Sequence, residues 1–154
     1  MKRQKNILVV DDDPSVRAML TRALAKEGYQ VQSAADGAEA LRSANATPPD
    51  LVLLDVKLRE ESGWDVFRRF IRKWPLLPVV IITARPNQLF TALAAGVGAL
   101  LEKPLHVPRL LLTISRLLRE SVETRVARLA GKDAQFDYLP AWLAAAPNAA
   151  RAAR

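Results

Sequence analysis

Ile7-Leu-Val-Val-Asp-Asp-Asp-Pro14 is the stretch that decides the fold. Four consecutive apolar residues, three of them β-branched, read as a strand buried on both faces. Three carboxylates follow at once. Pro14 then starts a helix, where its fixed φ is favoured in the first turn, with Asp13 or Ser15 as the cap. The helix shows Val16, Met19, Leu20, Ala23 and Leu24 at helical spacing, and Gly28 closes it. Burial of the strand therefore fixes where the acidic residues stand.

Outward from this unit the same alternation repeats. Tyr29–Ala34 is a short second strand of mixed polarity, as an edge strand has. Asp36-Gly37 turns the chain, and Ala38–Ala44 reads as a helix ended by Thr47-Pro-Pro49. Leu51–Leu54 is strand three and runs into Asp55. A polar loop, Lys57–Gly63, leads to a helix bearing Val66, Phe67, Phe70 and Ile71, stopped by Trp74-Pro75. Val79–Ile82 is strand four, ending at Thr83, and Leu89–Ala95 is a small helix ending at Gly96. Strand five is Ala99–Glu102, followed by Lys103-Pro104. The pattern predicts an α/β fold with a doubly wound, five-stranded parallel sheet.

From Pro108 an amphipathic helix carries Leu111, Ile114, Leu118, Val122, Val126 and Leu129 at steps of three or four, so it is expected to continue past residue 120. Phe136, Tyr138, Leu139, Trp142 and Leu143 then sit together. They are expected to form a short helix, capped by Asp137 with Pro140 in its first turn, either folded back on the domain or left for a second copy or a partner. Asn148–Arg154 is expected to fray. This divides the chain into a domain over residues 5–120 and an extension over 121–154 made of the extended helix and an aromatic, Ala-rich tail.

Composition narrows the function. The 154 residues (17.0 kDa) suit one domain with a real core. No window approaches the ~20 apolar residues of a membrane span. The basic N-terminus precedes only four apolar residues, too few for a signal-peptide core. With no Cys, thiolate catalysis, disulfides and Cys-ligated zinc are excluded, and a cytoplasmic location is expected. The net charge of +7 is spread along the chain, so direct DNA binding is not expected from charge alone. The single His, His106, matches no motif and is expected to face solvent.

Ligands of open α/β sheets sit beyond the carboxyl ends of the strands. Strand one delivers Asp11, Asp12 and Asp13 there, strand three Asp55, strand four Thr83 and strand five Lys103. Clustered carboxylates repel unless a cation compensates them, and a hard divalent ion such as Mg²⁺ does so with oxygen ligands. A carboxylate beside such an ion can attack a phosphoryl group, whose peripheral oxygens need further donors. Thr83 and Lys103 supply those. Singly, each residue has a plainer reading as a helix cap, a strand-end hydroxyl or a surface charge.

Taken together, Ile7-Leu-Val-Val-Asp-Asp-Asp-Pro14, Asp50-Leu-Val-Leu-Leu-Asp55, Ile81-Ile-Thr-Ala84 and Glu102-Lys-Pro104 resemble the receiver (response-regulator) domain of two-component signalling, over about residues 5 to 120. The resemblance implies the flavodoxin-like strand order 2-1-3-4-5. It also implies Mg²⁺ held by Asp12 directly, Asp11 mainly through water, Asp55 and the backbone carbonyl of Lys57. Asp55 would be the phosphoacceptor, Thr83 the switch hydroxyl and Lys103 the family's lysine, with a cis bond to Pro104. The implied partners are a sensor histidine kinase or phosphotransfer protein, and a downstream protein bound at the face of the helix Leu89–Ala95, strand five and the final helix. A homodimer is a further option.

The chain departs from the family in three places. Arg59-Glu60 stands where receivers often carry Pro-Gly or Pro-Asp after Leu58. Lys57 and Arg85, both basic, border the site, either holding a phosphoryl group or pointing into solvent. Leu100 stands where the switch aromatic is usual. The leading expectation is a stand-alone phospho-receiver rather than an enzyme in the usual sense. The alternatives are a phosphorelay intermediate, a phosphorylation-independent pseudo-receiver and an Asp-nucleophile phosphohydrolase. Lys57 counts against the last, because it stands where such enzymes carry a second aspartate.

Overall fold

A computed structural model describes residues 3–132 and 135–145. Five strands, β1 (Asn6–Val10), β2 (Gln30–Ala34), β3 (Leu51–Asp55), β4 (Val79–Thr83) and β5 (Ala99–Glu102), are parallel, and β2 is the expected edge strand. Strands β1, β3 and β4 are buried along their whole length. This is the sandwiching that their unbroken apolar runs require.

Successive side chains divide between two faces. Leu8, Val10, Val52, Leu54 and Ile81 pack under α2 (Gly37–Ala46), α3 (Gly63–Lys73) and α4 (Leu89–Ala95), through Ala40, Ala44, Val66, Phe70 and Ala92. Ile7, Val9, Leu51, Leu53 and Val80 face α1 (Pro14–Lys26) and α5 (Val107–Arg119), through Leu20, Leu24, Leu110, Ile114 and Leu117. The register pairs Val10 with Leu54, Asp55 with Ile82, and Thr83 with Glu102, so the polar strand ends come level at one rim.

The C-terminal region departs from expectation. The helix that starts after His106 does not run on. Glu120 is extended (ψ 143°), Ser121 caps the new helix α6 (Val122–Leu129), and its Oγ accepts from the N–H of Thr124. The apolar spacing is unbroken, but Glu120 is held by Arg116 and Arg128, and those pairs fix the bend. The segment expected as a helix capped by Asp137 is instead a sixth strand, β6 (Asp137–Leu139), parallel to β5. It pairs there because its side chains alternate. Asp137 turns to Arg116 of α5 and Leu139 enters the α5-side core, whereas Phe136 joins the α4-side core. The sheet order is thus β2-β1-β3-β4-β5-β6, and a short α7 (Trp142–Ala145) follows.

The tail therefore folds back, but onto the β5 edge. Val122, Val126 and Leu129 of α6 remain exposed, while Arg125 and Arg128 turn inward. His106 is also not a free surface residue. Its Nδ1 accepts from the N–H of Arg109 at 3.2 Å and caps α5. Asn148–Arg154 lies outside the described residues.

Candidate functional site

The site grows from the rim where the buried strands end. Asp11 is fully buried directly after β1, Asp55 closes β3 at 3% exposure, and Thr83 closes β4 fully buried. The chain must turn at each of these points, and the side chains hold the turns. Asp11 Oδ1 accepts from the N–H of Asp13 at 2.9 Å, and Asp55 Oδ1 from the N–H of Lys57 at 3.1 Å. Thr83 Oγ1 accepts from the N–H of Arg85 at 2.9 Å, which leaves the hydroxyl proton free to be donated elsewhere. Asp13 accepts from the N–H of Ser15 and caps α1, as its position before Pro14 suggests.

Lys103 bridges the cluster. Its Nζ lies 2.7 Å from Asp11 Oδ2 and 2.9 Å from Asp55 Oδ2. Its own N–H donates to the Thr83 carbonyl at 2.8 Å, and its bond to Pro104 is cis. Carboxylate oxygens of Asp11, Asp12 and Asp55 all lie within 4.8 Å of one another. Three carboxylates thus share one ammonium. Burial, with the Asp11 carboxylate beside it, pushes the Asp55 carboxyl above its ordinary range despite the Lys103 and Lys57 donors. Burial pulls Lys103 down, but its hydrogen bonds to Asp11 and Asp55 outweigh that and hold it above its ordinary value. The cluster remains short of positive charge, and its oxygen-only donor set fits a small divalent cation.

Asp11, Asp12, Asp55 and Lys103 meet at this rim, and Thr83 ends the neighbouring strand one residue past the partner of Asp55. Lys57 and Arg85 reach it with their backbone amides, while both residues are exposed. Leu100 is fully buried in the α4-side core, so no aromatic ring stands at that position.

Two contributors went unread in the sequence. Arg17 Nη1 donates to the Asp11 carbonyl at 2.6 Å and ties the acidic loop to α1; an arginine one helical turn after the cap was the available signal. Gly63 opens α3 against the end of β3, where a Cβ would run into the Asp55 carbonyl oxygen. Its place after Ser62, the α3 cap, was legible, but the close approach was not.

Comparison with known proteins agrees with this geometry. Residues 7–115 match the family described as "Response regulator receiver domain". A probable transcriptional regulatory protein, TcrX of Mycobacterium tuberculosis, is 36% identical over 122 residues, covering 78% of this chain and 52% of that protein. The DNA-binding transcriptional regulator NtrC of a Bradyrhizobium species is 34% identical over 138 residues, covering 88% of this chain and 28% of that protein. The chain therefore spans about half, or less, of the length of these relatives. Among solved structures, the NtrX receiver domain of Brucella abortus superposes with a TM-score of 0.69 at 34% identity, covering 75% of this chain and 99% of that one. A CheY-like receiver domain protein of Methanospirillum hungatei superposes with a TM-score of 0.72 at 29% identity, covering 75% and 94%.

Proposed function

The chain belongs to the response regulator receiver family, and from that premise we propose that Asp55 accepts a phosphoryl group from a phosphohistidine of a sensor kinase or phosphotransfer protein. One observation carries the reading: a buried Asp55 carboxylate with Lys103, the Thr83 hydroxyl and two further carboxylates at one rim. In the reaction an Asp55 oxygen forms the new P–O bond, the P–N bond to the donor histidine breaks, and the imidazole takes up a proton.

Each side chain then has a task. Lys103 favours the charged form of Asp55 before transfer and offers its ammonium to a phosphoryl oxygen afterwards. Thr83 offers its free hydroxyl proton to another oxygen. Asp11, Asp12, Asp55 and the Lys57 carbonyl would hold Mg²⁺, which supplies the positive charge that the transferred group needs. The amides of Lys57 and Arg85 hold the two reactive side chains in place.

The output is altered binding of a protein partner, and the location is the cytoplasm. None of the helices among the described residues is long and apolar enough to cross a membrane. TcrX and NtrC are named as transcriptional regulators, and this chain spans about half or less of their length, so DNA binding is not assigned to its own surface. The test is intact-mass measurement after incubation with a small-molecule phosphodonor and Mg²⁺. The expected result is one added phosphate on the wild type, absent in Asp55→Asn and in chelator. Phosphate that persists in either control overturns the reading, and the absence of any phosphate favours a pseudo-receiver.

A further inference from the structure

We infer that the outer edge of β5 is a binding site for an extended peptide strand, that residues Asp137–Leu139 are its tethered occupant, and that phosphorylation at Asp55 loosens this occupant. Without β6, the backbone donors and acceptors of Ala99–Leu101 would stand unpaired at the sheet margin. Strand addition satisfies them whatever the incoming sequence, so selectivity must come from side-chain pockets on alternate residues.

Two such pockets are built, both on the α5 side. In the first, Asp137 Oδ2 accepts from Arg116 Nη2 at 3.1 Å, Arg116 Nε at 3.2 Å and Thr113 Oγ1 at 3.0 Å. In the second, Leu139 is 5% exposed among the core residues of α5 and β5. The edge therefore selects an acidic residue followed two positions later by an aliphatic one, running parallel to β5. The tail's hold is small. Only Leu139 and Leu143 are buried among its described residues, and the strand is three residues long. An occupant so held suits exchange.

The link to the phosphoryl site is one residue long. Glu102 Oε1 accepts from the N–H of Ala141 at 3.2 Å, just past β6. The next residue is Lys103, whose ammonium lies on Asp55, and Glu102 is paired in register with Thr83. A phosphoryl group on Asp55 takes over the hydrogen bond of Lys103 and the free hydroxyl proton of Thr83, the neighbours of Glu102 in sequence and in register. The end of β5 then moves against the Glu102–Ala141 contact. This second half rests on the function proposed above; the strand site itself does not.

The experiment uses the full chain and a labelled peptide of residues 135–145. Asp137→Ala frees Arg116, so that variant is expected to bind the peptide at least tenfold more tightly than the wild type, whose own tail competes. A peptide with Asp137 replaced by Ala should lose most of that affinity, as should the Arg116→Ala chain. Peptide binding that is absent from the Asp137→Ala chain, or indifferent to Arg116, overturns the strand site.

In parallel, hydrogen exchange is followed at the amides of residues 137–139 and 141–143 with and without Mg²⁺ and a phosphodonor, with the phosphate counted by mass. At least a tenfold loss of protection is expected in the phosphorylated wild type and none in Asp55→Asn. Phosphate present with protection unchanged or increased overturns the coupling. Phosphate absent overturns the proposed function, and the peptide measurements still decide the strand site.

Discussion

Two semi-buried charge clusters stand out among the described residues, and they differ in their balance. At the carboxyl rim, Asp11, Asp12 and Asp55 share the single ammonium of Lys103. At the C-terminal junction, Glu120 and Asp137 face Arg116 and Arg128, two charges against two. The second cluster is balanced in charge, although Glu120 Oε1 and Arg128 Nε have no hydrogen-bond partner among the described residues, and its work is to hold α5, α6 and β6 together. The first is left with uncompensated negative charge, with Asp11 and Asp55 buried and Asp12 half-buried beside them. Folding tolerates that imbalance only at a cost, and under the function proposed above that cost marks where an ion and a phosphoryl group would enter.

The sharpest way to break this comparison is to take one cation from each cluster. Lys103→Ala leaves Asp11 and Asp55 buried and facing each other. In chelator it should lower the unfolding free energy by about 3 kcal/mol, read by urea denaturation. Arg116→Ala removes hydrogen bonds from Asp137 and Glu120, but Glu120 keeps its pair with Arg128, and Asp137 can reach water once the tail lifts. A loss of about 1–2 kcal/mol is expected, confined to exchange of the tail amides. If the second substitution were the more damaging, the imbalance argument would fail.

Added Mg²⁺ should separate the clusters further. At about tenfold over its Kd it should stabilise the wild type by about 1.4 kcal/mol, because only the folded state gathers the ligands. Asp12→Ala should abolish most of that gain. Asp13→Ala should keep it while losing stability from the α1 cap, and thermal melts with and without Mg²⁺ report both.

The next effect is a slope with pH. Burial and Asp11 hold the Asp55 carboxyl above its ordinary range in the folded state. The folded protein therefore takes up this proton more readily than the unfolded chain. The stability Asp55 contributes is fully present below the ordinary carboxylate pKa and is lost as pH rises through its folded value. In chelator, wild type should thus lose stability relative to Asp55→Asn as pH climbs through that window, and paired denaturation series check the sign. The smallest effect belongs to a control outside both clusters. Arg68 and Asp65 pair in the open, and Arg68→Ala should change stability by less than about 0.5 kcal/mol.

What could be read beforehand follows the same division. Strands β1, β3, β4 and β5 were legible because each is an apolar run pressed between helices. The site was legible because its polar residues follow those runs directly, so that burying Val10, Leu54 and Ile82 also places Asp11, Asp55 and Thr83. The C-terminal region carries no such local signal. The apolar spacing through Leu118, Val122 and Val126 describes one continuous helix. What bends it is Glu120, pinned by Arg116 one turn before and Arg128 two turns after. In β6, Asp-Tyr-Leu is too short to show alternation, and its pairing depends on an edge that exists only after β5 is in place. The cap at His106 was missed because a ring nitrogen can do the work usually assigned to Ser or Asp.

The sixth strand also has a consequence in time. Synthesis runs from the amino end, and Glu102 precedes Asp137 by 35 residues. At ~5–20 residues per second, about 2–7 s separate the two. During that interval β1 to β5 can assemble with a raw sheet margin, which in a crowded cell invites pairing with any neighbouring strand. The segment that closes it is made only after β5. A nascent chain stalled before Asp137 would thus carry a finished carboxylate rim beside an unsealed flank. Its quality control would turn on that flank, not on the chemistry at the rim.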